Sequence, residues 1–101
     1  MASVIVSRAA CEDLLNIQKY IRDDLMAPDA AKHILSTLRT AIESLETFPE
    51  RGKSLDRILY VHTGFRFLVC EHYRIFYLTD GEKVEIVRIL HMLQNYMQVL
   101  F

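Results

Sequence analysis

The stretch GFRFLVCEHYRIFYLTDGEKVEIVRILH, residues 64–91, decides the fold. It holds three runs rich in β-branched and aromatic residues. One lies within 58–70, as either ILYVH or RFLVC; the others are YRIFYLT at 73–79 and KVEIVRIL at 83–90. Asp80-Gly81 separates the last two runs and predicts a tight hairpin, with both residues at the positive φ of a type I′ turn. The Glu71-His72 junction has no Gly or Asn, so its turn type stays open. In YRIFYLT, Tyr73, Ile75 and Tyr77 point one way while Arg74, Phe76 and Leu78 point the other. Both faces of this strand are largely apolar, so both need cover.

Upstream the period changes from two to about 3.6. SVIVS reads as a first strand over 3–7, and Ser7 then suits an N-cap, with Glu12 and Asp13 near the positive end of the following helix. Ala10, Leu14, Ile17, Ile21 and Leu25 mark a helix over about 8–25. Pro28 suits the first turn of a second helix. Its apolar stripe runs through Ala31, Ile34, Leu35, Leu38, Ile42, Leu45 and Phe48, and it should end before Pro49. A two- or three-residue connection makes the pair an antiparallel helical hairpin. Residues 49–58 read as a loop, and MLQNYMQVL as a short terminal helix. The hairpin covers one face of the sheet; the tail or another chain must cover the other.

Composition sets the outer limits. The 101 residues are 51% hydrophobic and 25% charged with a net charge of −1, which fits one globular domain over 1–101 and excludes disorder. No 18-residue stretch lacks charge, so no membrane span is expected, and nothing resembles a secretory leader. Cys11 and Cys70 cannot make a disulfide framework, and with no CxxC and four scattered His no metal or cofactor site is expected. A reducing, cytoplasmic setting is the simplest one. The sequence pI of about 6.4 argues against a dedicated nucleic-acid binder. Charge is uneven, however: residues 1–50 carry a net −3 and residues 51–101 a net +2, so an anionic partner favours the C-terminal half.

No glycine-rich phosphate loop, nucleophile elbow or paired-carboxylate motif stands out. The polar residues that could carry chemistry are Arg66, Arg74, Arg88, His91 and Tyr96, with Glu71 and His72 at the hairpin. Strand arginines can clamp phosphate, and a nearby His can act as acid or base near neutral pH. Each also has a plain structural reading: arginines that snorkel and pair, a hydrogen-bonded His, a core Tyr. Cys70 reads as a small apolar strand residue.

In order and spacing, these pieces resemble the RelE/ParE superfamily of bacterial type II toxins. The first helix carries SxxAxxDLxxIxxYI from Ser7 to Ile21, the second carries AxxxIxxxLxxAIxxLxxFPxxG up to Gly52, and the sheet supplies residues 64–91. The resemblance implies an α+β fold: an N-terminal strand and helical hairpin on a twisted antiparallel sheet, closed by a short C-terminal helix. It also implies a cognate antitoxin as partner in a hetero-oligomer. ParE-like members poison DNA gyrase, whereas RelE-like members cleave mRNA on the ribosome with a basic cluster and a C-terminal His or Tyr. Arg74 matches the strand arginine of the nuclease branch, which would make Arg74, His91 and Tyr96 catalytic and leave Arg66 and Arg88 to bind phosphate or a partner. His91-Met92-Leu93-Gln94-Asn95 stands where that branch has Lys and Arg, and charge carries most backbone affinity. The ILH ending, the FPxxG loop and the long second helix favour the ParE-like branch. A non-toxic, antitoxin-binding member is the third reading.

Overall fold

The computed structural model describes all 101 residues. Strand β1 (Ser3–Val6) leads into helix α1 (Arg8–Lys19), which continues as a π-helical turn over Tyr20–Asp24. Helix α2 (Pro28–Glu43) follows and tightens into a 3-10 turn at Ser44–Glu46. Then come β2 (Lys53–Ser54), α3 (Leu55–Leu59), β3 (Arg66–Cys70), β4 (Tyr73–Thr79), β5 (Lys83–His91) and α4 (Tyr96–Leu100). The five strands form one sheet in the order β1-β5-β4-β3-β2. No helix is long and apolar enough to cross a membrane.

Ser7 caps α1 as its sequence position predicts: its hydroxyl accepts from the Ala10 N–H. Glu12 and Asp13 lie beyond the first turn, so their expected place at the positive helix end is not where they sit. The π-turn closes through Leu25 N–H to Tyr20 O, and Met26 takes a left-handed φ of 52° to reverse the chain. That reversal turns Leu25 out to solvent, so it is not part of the expected stripe. The second stripe holds through Ala31, Leu38, Ile42 and Leu45. It stops short of Phe48, which is exposed, because the chain has left the helix after Glu46.

The β4–β5 hairpin forms where Asp80-Gly81 places it, but not as a type I′ turn. Gly81 has φ 94°, while Asp80 stays outside the left-handed region. Asp80 instead turns its carboxylate onto the Glu82 and Lys83 amides at 2.9 and 2.8 Å. The β3–β4 turn is made by Glu71 at φ 56°. RFLVC, not ILYVH, is the strand; residues 55–59 coil into α3 and correct the expected loop over 49–58. Leu55 explains the correction, since it is fully buried beneath the sheet and pulls its segment inward.

The sheet is mixed rather than wholly antiparallel. β1 pairs with β5 in parallel over Ser3↔Lys83 to Val6↔Ile86, because the intervening chain crosses back over the sheet before β5 begins. Strand β5 carries an extra residue: Phe76 faces Arg88 but Tyr77 faces Ile86, so Val87 bulges. The bulge switches parity. Val84, Ile86 and Ile89 therefore face the helical hairpin, whereas Leu90 faces the other side. One core packs under α1 and α2; a smaller one, built on Leu55, Phe67, Phe76 and Leu90, lies under α3 and α4. The chain's own tail thus supplies the cover for the second face.

Candidate functional site

Arg74 and Tyr96 meet on the smaller face. Arg74 is half-buried on β4, with its guanidinium carbon 5.7 Å from the centre of the Tyr96 ring, a cation–π distance. Its Nη1 also donates to the Met92 carbonyl at 3.3 Å. The Tyr96 ring in turn lies 5.3 Å from that of Phe76. Asn95 starts α4 by accepting from the Met97 N–H, and that cap aims Tyr96 back at the sheet.

His91 lies elsewhere. It pairs across the ladder with Tyr73, and cross-strand partners share a face, so its ring stands on the helical-hairpin side. The rings of His91 and Tyr73 meet edge to face at 5.4 Å, and His72 stacks on His91 at 6.2 Å. The His91 Nδ1 accepts from the Leu93 N–H at 3.1 Å, which leaves the proton of the neutral ring on Nε2. Glu71, at the neighbouring turn, comes within 3.7 Å of His33 on α2. The structure therefore joins Arg74 to Tyr96 and sets His91 apart from both.

Arg88 is held by Asp13. Its Nε and Nη2 donate to the two carboxylate oxygens at 2.7 and 2.8 Å, and the Ile89 amide adds a third bond at 2.9 Å. The reason is topological. β1 covers the edge of β5 only as far as Ile86, and beyond that point helix α1 must satisfy the free strand groups. The Ser7 hydroxyl donates to Val87 O and Asp13 accepts from Ile89 N. The Asp13 carboxylate holds the Arg88 guanidinium firmly in its charged form, raising its pKa.

Arg66 sits on the hairpin side near the opposite edge, where its Nη1 donates to the carbonyls of Gly52 and Glu50 at 2.9 and 3.2 Å. The Tyr77 hydroxyl accepts from the Gly52 amide at 2.9 Å within the core. A Cβ at position 52 would stand 2.5 Å from that hydroxyl oxygen, which explains why the FPxxG loop ends in glycine. Burial pushes the Tyr77 phenol up, and likewise the Cys70 thiol, which fits its apolar reading. Lys53 and Arg57 share a solvent-open cavity of about 520 Å³ with Arg66. Neither belongs to a motif, and only the tertiary path of β2 and α3 brings them beside Arg66.

A second concavity, of about 570 Å³ and mostly apolar, lies between α1 and α2. Leu14, Leu15, Leu35 and Ile42 line it, with Lys32 and Arg39 among its polar residues.

Comparison with known proteins places this arrangement. The family described as "ParE toxin of type II toxin-antitoxin system, parDE" matches residues 4–96. "Toxin RelE2" of Caulobacter vibrioides is 38% identical over 92 residues, covering 90% of this chain and 96% of that protein. A chain from the solved "Chromosomal ParDE TA system from P. aeruginosa" shares the fold with a TM-score of 0.73 at 21% identity, over 90% of this chain and 96% of that one. With its helical hairpin, mixed five-stranded sheet and short terminal helix, the chain belongs to the ParE toxin family of type II toxin–antitoxin systems, within the RelE/ParE superfamily.

Proposed function

We propose that this protein arrests growth by poisoning DNA gyrase in the cytoplasm and is neutralised by a cognate antitoxin. The observation that carries this reading is the dispersal of the acid–base candidates. Cleavage of RNA through a 2′-hydroxyl needs a base within hydrogen-bond reach of that group while cations hold the phosphate. Here His91 faces away from Arg74 and Tyr96, Arg88 is bonded to Asp13, and positions 92–95 offer no cation.

The apolar cleft between α1 and α2 suits the antitoxin. Its leucines fit the apolar stripe of an amphipathic segment, and Lys32 and Arg39 favour one that carries acids. Seating an acidic segment there leaves the α4 face free, and α4 is the surface we assign to the gyrase encounter.

Purified protein added to gyrase should inhibit supercoiling and accumulate cleaved DNA, while ribosomes translating a defined message leave it intact. A stop after Asn95 should abolish that inhibition yet retain antitoxin binding. Cut message with unaffected gyrase would overturn the reading in favour of a RelE-like endonuclease. The observations favouring that second reading are the Arg74–Tyr96 pair and the 38% identity to Toxin RelE2. In that case Arg74→Ala and Tyr96→Phe should each cut cleavage about 10²-fold.

A further inference from the structure

His91 shapes the turn that hands β5 over to α4. Its ring Nδ1 accepts from the Leu93 N–H at 3.1 Å, its amide donates to the Gln94 side-chain oxygen at 2.8 Å, and its carbonyl accepts from the Gln94 amide at 2.9 Å. Met92 is tied back to the sheet: its N–H donates to the His72 carbonyl at 2.8 Å and its own carbonyl accepts from Arg74. Asn95 then caps α4, and Tyr96 packs against Phe76. Residues 92–95 are all exposed, so hydrogen bonds rather than burial hold the turn. Of these bonds, the one at Nδ1 depends on a proton that imidazole exchanges near neutral pH. A neutral ring accepts there, whereas imidazolium carries a donor on both nitrogens.

The surroundings add to this dependence. Three of the four histidines gather at this end of the sheet. His72 stacks on His91 at 6.2 Å, and His33 on α2 comes within 3.7 Å of Glu71, the carboxylate of the group. The remaining titratable or charged neighbours are Tyr73, in edge contact at 5.4 Å, Tyr20 of the π-turn beside Tyr73, and Arg74 at the Met92 carbonyl. Burial pushes the Tyr73 phenol up, so it stays neutral. When both stacked rings are protonated they set two like charges side by side.

We propose that His91 is a proton-sensitive latch on the C-terminal segment. While the ring is neutral, Nδ1 holds the Leu93 N–H and α4 stays seated on the smaller core. Once the ring is protonated, Nδ1–H confronts the Leu93 N–H donor to donor, the turn opens and α4 detaches. A helix of five residues has no stability of its own, so it follows the turn. The latch needs no partner; its bearing on growth arrest rests on the gyrase reading of α4 given above.

The test is nuclear magnetic resonance of the full chain from about pH 8 to about pH 5, the interval in which imidazole takes up its proton. No gyrase is present, so failure here leaves the gyrase reading standing, and the reverse. The Leu93 amide and the Tyr96 ring signals should move together, with the midpoint of the His91 ring itself. The ratio of seated to released α4, read from where the Tyr96 signals fall between their pH 8 and random-coil positions, should drop about fivefold to tenfold, as for one lost hydrogen bond. His91→Asn supplies an acceptor that does not titrate and that reaches the amide two residues on, so α4 should stay seated throughout. His72→Gln should keep the transition. Tyr96 signals that hold still while the His91 ring titrates, a transition that survives His91→Asn, or one that disappears with His72→Gln would each overturn the latch.

Discussion

Between the sheet and the helical hairpin twelve residues are buried in one connected core, whereas between the sheet and α3 and α4 only Leu55, Phe67, Phe76 and Leu90 are. The first face is covered by helices of 12 and 16 residues, the second by two of five residues each. Exposed apolar side chains do not separate the two sides: Ile58, Tyr60, Leu93, Met97 and Phe101 are exposed on one, and Leu15, Tyr20 and Leu25 on the other. A helix of five residues has no stability of its own and holds only through what it packs against. The difference teaches that most of the buried apolar contact lies on one side of the sheet, while the other is closed by a small core and two single-turn helices.

Four experiments can break or sharpen that contrast. The largest effect belongs to the hairpin side. Ile75 is fully buried there, and Ile75→Ala should cost about 3–5 kcal/mol in a chemical melt. Next comes the clasp at the β5 edge. Asp13→Ala strands the Ile89 amide and an Arg88 side chain that is only 29% exposed, so a loss of about 2–3 kcal/mol is expected. Asp13→Asn should recover part of it by keeping an acceptor.

A stop after Asn95 removes six residues from the other side yet should cost less than either substitution, about 1–2 kcal/mol. Tyr96 and Leu100 are its inward-facing side chains and both are only half-buried. A loss as large as that of Ile75→Ala, or a melt that stops being cooperative, would show that the two faces carry the fold equally. The smallest effect is local and depends on pH. Hydrogen bonds from the Thr63 hydroxyl and the Thr63 and Gly64 amides hold the Asp56 carboxyl below its ordinary value of 3.8. Folding lowers this pKa, so its contribution is complete above about pH 4 and fades as the pH falls through the folded value. The Thr63 and Gly64 amide signals should therefore shift only in acid, and Asp56→Asn should abolish that titration.

Elements whose pattern is local were legible in the chain. Apolar residues at helical spacing marked α1 and α2, alternation marked β4 and β5, and Ser7 marked a helix start that the structure repeats. Boundaries were less legible. Leu25 and Phe48 continue the apolar period but lie outside the core, because a π-turn and a 3-10 turn redirect the chain just before them. Residues 55–59 were hidden as a loop since five residues are too few to show a period, and burial of Leu55 alone makes the turn worthwhile. Of the candidate site, the residue types were legible but their grouping was not. Arg74, His91 and Tyr96 look alike in a list of polar strand residues, yet the ladder register divides them between two faces.

The sequence by itself determined the fold class, the family and a positive C-terminal half, because periodicity, composition and motif order are properties of neighbours along the chain. The tertiary structure alone decided which charges are spent and which are free. Asp13 reaches Arg88 across 75 residues, and Arg66 is held by the Gly52 carbonyl because β2 pairs with β3 at the sheet edge. A charge's role depends on what stands within a few ångströms of it, and that distance is set by packing rather than by position in the chain.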